Sequence, residues 1–330
     1  MNAFIQNCFF SIILIFLCYN GTAQPDFALP LKGEQGRDFW ILNYADHDKN
    51  YKAVTDYNCG TKTYDGHKGT DFHIRSFSAM DSGVQVLAVA DGIVEAVKDG
   101  KYDRSKRINN AGFGNYIEIL HDNYRVSYAH LRKGSLMVNT GDTVKKGQPI
   151  ALVGSAGNSV RPHLHLEVTD ETGMITIDPF YGDCSRKLPS FWEEQLPYDT
   201  SLGVLETMFV PYIPITDSLL DTMQERYNAR DTFYMRRDSL FCFYANVVGL
   251  NHGDEVRAEW HRVKNDKLMY TYTFEWRHKS YFGYIFPYLP RPYRSGECYV
   301  SIYVNDKLFI KRRFYISKKK NQANKHLRFR

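Results

Sequence analysis

No cysteine lies between His67 and His165, so the histidine-rich middle of this chain cannot build the Cys-rich, four-ligand site that structural zinc favours. An H-E-x-x-H string is also missing, which excludes a glutamate base carried on a zinc-binding helix. The glycine-rich Gly154-Ser-Ala-Gly157 is not followed by Lys-Ser/Thr and is therefore no phosphate loop. It reads as a tight turn or groove wall ahead of the next strand. Charge is nearly balanced, with 42 Lys and Arg against 37 Asp and Glu. No basic stripe falls in a recognisable nucleic-acid fold, so neither DNA nor RNA is expected as a partner. Beyond Leu17 no apolar run is long enough to span a bilayer. Met1 to Ala23 lacks the usual lysine or arginine. Its run Phe9 to Leu17 is too short for a comfortable span and leads into Gly21-Thr-Ala23, which fits a cleaved secretory signal over residues 1–23. Cys18 follows the bulky Ile15-Phe-Leu17, a poor match to a lipid-attachment site.

Three strings carry chemistry: His67-Lys-Gly-Thr-Asp71, Tyr128-Ala-His130-Leu and Pro162-His163-Leu-His165-Leu. A catalytic zinc takes three protein ligands from neutral imidazole and carboxylate, leaving the fourth tetrahedral position to water. His163 and His165 are two residues apart, so on a strand they share one face, and one can bind metal while the other stands beside the reacting water. His67 and Asp71 flank Gly69 and can converge from a loop entering Asp71-Phe-His-Ile74. Two imidazoles and a carboxylate would then be His67, Asp71 and His165, with His130 and His163 next to the water. A histidine in hydrogen-bond reach can take the water proton and return it to a leaving amine, and His163 is the first choice for that base. His130 would orient the water or stabilise the oxyanion. His73 shares strand parity with Asp71 but reads as a solvated or hydrogen-bonded strand histidine. His47 and His121 read as loop polar residues. Tyr128 lies on the same strand face as His130 and reads as packing.

With these motifs, residues from about His67 to Pro179 resemble the lysostaphin/LytM-type M23 metallopeptidase domain. The likeness extends to the scaffold strings Gly83 to Gly92, Gly112 to Ile119 and Gly141 to Gly147. It implies one zinc per chain on His67, Asp71 and His165, with His130 and His163 as the catalytic pair. It also implies an exported endopeptidase that cuts peptidoglycan stems or cross-links in the periplasm or at the surface of a bacterium. Two alternatives remain: a non-hydrolytic cell-wall-binding or amidase-activating module, and a latent enzyme whose groove is covered. In the latent form residues 24 to 60 or the second domain would be the cover, with Asn43 or Asp46 reaching the open zinc position.

The expected fold is mainly β. An antiparallel-sheet M23/LytM-type domain over 57–184 follows an N-terminal segment, 24–56, and a linker over 185–210 leads to an aromatic-rich, Ig-like β-sandwich over 211–317. Short strands such as Val84 to Val89, Ile93 to Val97, Tyr116 to Leu120 and Leu164 to Val168 alternate with Asp-Gly and Asp-Asn turns. In the second half Tyr270, Tyr272, Phe274 and Trp276 share one strand face and read as sandwich core. Met223 to Arg230 reads as a short helix. Four cysteines remain after the signal, and their positions suggest Cys59 with Cys184 and Cys242 with Cys298. The basic tail, 318–330, could lie peripherally on anionic envelope polymers or lipid headgroups.

Overall fold

The computed structural model describes residues 25–104, 112–185, 189–213, 231–235, 240–278, 281–290 and 294–318. The signal segment, the Met223 to Arg230 helix and the basic tail beyond Lys318 lie outside the described residues.

Period-two alternation builds the first unit. Its strands are β1 (Phe39–Asn43), β2 (Thr70–Ile74), β3 (Gln85–Leu87), β4 (Gly92–Lys98) and β5 (Tyr116–His121). They are followed by β6 (Tyr124–Ala129), β7 (Thr143–Val144), β8 (Pro149–Leu152), β9 (His163–Asp170) and β10 (Thr176–Ile177). The main sheet runs β1-β2-β9-β6-β5-β4-β7, with β10 on β9, and every pairing is antiparallel. The pair β3 and β8 stands apart as a small sheet. Along β9, Leu164, Leu166 and Val168 enter the core with Phe72, Ile74, Val126, Tyr128, Ile117 and Ile119. His163, His165 and Glu167 therefore lie on the other face, because successive side chains point to opposite sides. One helix, α1 (Phe77–Ser82), follows β2 and is capped by Ser76, whose hydroxyl accepts from the Ala79 amide.

β1 lies before residue 57 yet forms the sheet edge, so this unit starts earlier than the motifs suggest. The cause is the apolar run Phe39-Trp-Ile-Leu, which buries both faces: Phe39 and Ile41 in the core, Trp40 and Leu42 outward.

A second unit comprises β11 (Gly203–Val210), β12 (Thr232–Tyr234), β13 (Phe241–Val248), β14 (Glu255–Arg262) and β15 (Lys267–Glu275). It ends with β16 (Phe282–Ile285), β17 (Tyr288–Leu289), β18 (Gly296–Val304) and β19 (Lys307–Ser317). One sheet runs β11-β13-β16 with β17 also on β13, and the other runs β12-β19-β18-β14-β15. Phe209, Phe243, Trp260, Val300 and Phe314 fill the core between them. The segment expected to be linker thus ends in a strand, since Leu205, Met208 and Phe209 are buried. The turn between β18 and β19 places Asn305 and Asp306 at φ 48° and 64°. Two successive left-handed residues match the two-residue hairpins that follow the right-handed twist of their strands. On β15 the aromatic stripe is only partly core: Tyr270 and Phe274 pack inward, while Tyr272 is 42% exposed.

Cys59 and Cys184 form a disulfide, whereas Cys242 and Cys298 are buried free thiols. The second expected pairing fails because β13 alternates. Phe241 and Phe243 face the inter-sheet core that holds Cys298, and Cys242 points to the opposite side beside Met208 and Tyr244. Burial pushes both thiols up, Cys242 to about 12 and Cys298 to about 11. The Cys59–Cys184 bridge spans a sequence separation of 125 residues. Replacing both its cysteines with serine is expected to lower unfolding free energy by about 5 kcal/mol in the chain-entropy account, read from urea denaturation.

The two units share a junction. Trp40 and Leu42 of β1 pack against Leu205 and Val248, with Tyr281 and Phe282 alongside. Buried Lys62 donates to the Asp199 carbonyl at 2.8 Å and lies 4.0 Å over the Tyr281 ring. Burial brings its ammonium down to about 8.

Candidate metal centre

Register brings the motifs together. Asp71 of β2 sits opposite His165 of β9, and His73 opposite His163. His67 arrives from the loop before β2, and Gly69 lets it approach. A Cβ on Gly69 would lie 2.5 Å from the Leu166 carbonyl oxygen and 2.8 Å from the His165 ring.

Three donor atoms form a closed triangle. His67 Nε2 is 3.2 Å from His165 Nδ1 and 3.2 Å from Asp71 Oδ1, and His165 Nδ1 is 2.9 Å from Asp71 Oδ1. Donors at ~2.1 Å from a tetrahedral zinc are separated by about 3.4 Å, close to the triangle's sides, so the triangle can close on such an ion. These three residues are all buried and constitute a group able to hold a metal.

Surrounding polar groups fix each donor. His67 Nδ1 donates to the Tyr44 carbonyl at 2.7 Å, which leaves Nε2 with the lone pair a metal needs. Asp71 Oδ2 accepts from the Asn43 amide at 3.0 Å. The Nε2 of His165 has no close partner, the nearest carboxylate being Glu167 Oε2 at 3.6 Å. Burial would raise the Asp71 carboxyl, but the imidazoles of His67, His163 and His165 hold it well below the usual range. Burial likewise opposes charge on His165, yet the hydrogen bond to Asp71 and the nearby negative charge of Glu167 lift its imidazole to about 9.

In the metal-free chain His165 carries a proton below about pH 9, and Nδ1 must lose it before it can coordinate. Zinc binding at pH 7.5 is therefore expected to release about one proton, and apparent affinity to rise about tenfold per pH unit until pH 9. Calorimetry in two buffers of different ionisation enthalpy measures the release.

Two further imidazoles flank the triangle. His163 Nδ1 is 2.8 Å from the Arg161 carbonyl and 3.2 Å from Ser159 Oγ. His130 Nδ1 is 2.8 Å from the Ala156 carbonyl. A carbonyl can only accept, so both rings donate from Nδ1 and keep the Nε2 lone pair. Their centroids are 4.7 Å apart, and His163 Nε2 lies 3.6 Å from Asp71 Oδ1. Burial lowers both rings, His130 strongly, so both are neutral near pH 7.

His130 does not share a face with Tyr128 as strand parity suggests. Its φ of 59° breaks the alternation just after β6 and turns the ring toward the site. The tyrosine stays in the core, where its hydroxyl accepts from the Val89 amide at 2.9 Å and lies 3.0 Å from His121 Nε2. The Gly154-Ser-Ala-Gly157 turn supplies the carbonyl that holds His130. His47 pairs with Asp178 at 2.8 Å, away from the triangle. Asp46 accepts from the Asp48, Thr55 and Gly66 amides and so organises its loop, and Asn43 serves Asp71. His73 is buried and not solvated as expected: its ring stacks on His163.

A buried His/Asp/His triangle with two lone-pair imidazoles beside it, on one face of an antiparallel sheet, is the arrangement of a hydrolytic metal centre. Residues 65–179 match the family model described as peptidase family M23, and the chain carries a domain of that family. An uncharacterized metalloprotease of Haemophilus influenzae is 40% identical over 102 residues, covering 31% of this chain and 18% of that protein. Peptidoglycan DD-endopeptidase ShyB of Vibrio cholerae is 39% identical over 103 residues, covering 31% of this chain and 20% of that protein. Among solved structures, a zinc-containing peptidase from Vibrio cholerae shares 32% identity at a TM-score of 0.27, covering 42% of this chain and 39% of that one. The chain thus spans no more than 20% of the length of these two curated relatives.

Proposed function

We propose that this protein is an exported, zinc-dependent endopeptidase that hydrolyses peptide bonds in peptidoglycan stems or cross-links. The observation that carries the reading is the donor triangle of His67, Asp71 and His165 with the free Nε2 atoms of His130 and His163 beside it. Its M23 domain and the name of the ShyB relative support the substrate class.

His67 Nε2, Asp71 Oδ1 and His165 Nδ1 would hold one zinc per chain, which when bound supplies an acidified water and a Lewis acid for the scissile carbonyl. His163, whose Nε2 lies 3.6 Å from Asp71 Oδ1, accepts the water proton at that atom and returns it to the leaving amine. The Arg161 carbonyl steadies the imidazolium that forms. His130 accepts a second hydrogen bond from the water and orients it. Its Nδ1 proton is committed to Ala156 and burial keeps it neutral, so orientation suits it better than donation to an oxyanion. The place of action is the cell envelope of a bacterium, and the basic tail is a candidate for peripheral contact with anionic envelope surfaces.

The test is metal reconstitution. Chelated protein should release no new amino termini from purified peptidoglycan, and one equivalent of zinc should restore release. Equal release with and without zinc would refute the reading.

A further inference from the structure

Asp71, His73, His163 and His165 make a square across β2 and β9. Three of its corners have parts in the site, and the fourth, His73, has none. It is only 5% exposed, and its Nδ1 has no hydrogen-bond partner, an unfavourable state for a buried imidazole nitrogen. Its ring lies parallel to that of His163, 6° between planes and 4.5 Å between centroids. Phe282 of β16, from the second unit, packs 6.3 Å from it at 32°.

Asp71, His73 and His163 also offer donor atoms within 4.8 Å of one another. A metal lies close to the plane of each imidazole that binds it. Two parallel rings 4.5 Å apart share no point lying in both planes and ~2.1 Å from a nitrogen of each. The stack is packing, not ligation. What it does follows from what else holds His163. The contacts to Arg161 and Ser159 both engage Nδ1, so the Nε2 side of the ring is held by what packs against its faces, the parallel His73 ring among them.

We propose that His73 is a positioning residue: stacked on His163 and backed by Phe282 of the sandwich, it holds His163 Nε2 against the donor triangle. The second unit is then a structural part of the catalytic centre. Its docking agrees, because Trp40 is paired with His73 across β1 and β2, and Trp40 and Leu42 meet Leu205 and Val248 on the face that carries the histidines. The orphaned Nδ1 adds a corollary: phenylalanine at position 73 keeps the stack and removes a buried polar atom.

This inference rests on the proposed role of His163, so its test needs readouts both with and without turnover. The full chain, loaded with zinc, is compared with His73→Ala, His73→Phe and Phe282→Ala. All four should bind one zinc. His73→Ala should lower kcat by about 10- to 100-fold with KM little changed, because a misplaced base loses rate and not binding. His73→Phe should recover most of that loss, and Phe282→Ala should fall between. Histidine ring NMR signals of His163 should be single and sharp in wild type and His73→Phe, and broadened or doubled in His73→Ala. A His73→Phe as slow as His73→Ala, two zinc ions in wild type against one in both variants, or His163 signals indifferent to position 73 would each overturn the proposal. Wild type that never cleaves peptidoglycan would overturn the proposed function instead, and the ring signals would still decide this one.

Discussion

Asp71→Ala is expected to empty the metal centre and with it remove hydrolysis, by a factor of about a thousand or more. Asp71 Oδ1 is the one carboxylate oxygen of the triangle and lies within 3.6 Å of a nitrogen of each of His67, His163 and His165. Without it, two imidazoles remain to face the ion, and His165 loses the partner first in lifting its proton affinity. Removing a group that only supports a ligand costs about 10- to 100-fold in metal affinity, so loss of a ligand exceeds that range. Asn43→Ala supplies the calibration, because the Asn43 side-chain amide donates to Asp71 Oδ2, and the variant should lose zinc affinity within that range. Elemental analysis of zinc per chain, alongside peptide release, checks both. Asp71→Ala protein that kept stoichiometric zinc would remove the triangle from the account.

His163→Ala should behave differently, keeping zinc and losing about 10²- to 10⁴-fold in kcat, the usual contribution of a positioned general base. The pH profile separates base from ligand. A base must be neutral to accept a proton, so activity falls as pH drops through its folded pKa. Burial sets the His163 pKa below the ordinary histidine value of 6.5, so the wild-type acid limb should lie below pH 6.5. In His163→Ala the residual rate should lose that limb. His130→Ala should also retain zinc, with a smaller fall in kcat. An equal loss in both variants with an unchanged limb would mean that neither ring is the base.

The members of the donor triangle were legible in the sequence because side-chain chemistry marks them: few residue types can hold a metal such as zinc, and strand parity alone puts His163 and His165 on one face. The core of β9 followed from the same alternation, through Leu164, Leu166 and Val168. What orients the site was not legible. Tyr44, Ala156 and Arg161 act through carbonyl oxygens, which every residue possesses, so no residue type betrays them. The left-handed turn at His130 is set by its loop and not by its own identity. Asn43 belongs to a strand that joins the sheet from outside the motif window. His73 carried a signal in its parity with Asp71, but only the register with His163 shows that a stack outweighs solvation. Cys242 misled in the opposite direction, since two cysteines in one unit imply a bridge until alternation places them on different faces.

The most direct test is mass spectrometry of soluble fragments released from purified peptidoglycan by the zinc-loaded chain, beside a chelated sample and His165→Ala. The account predicts new peptide termini, with stem or cross-link bonds cut and glycan bonds intact, only in the zinc-loaded wild type. Folded, zinc-loaded protein that releases no such fragments, or fragments of the same mass from His165→Ala, would contradict it.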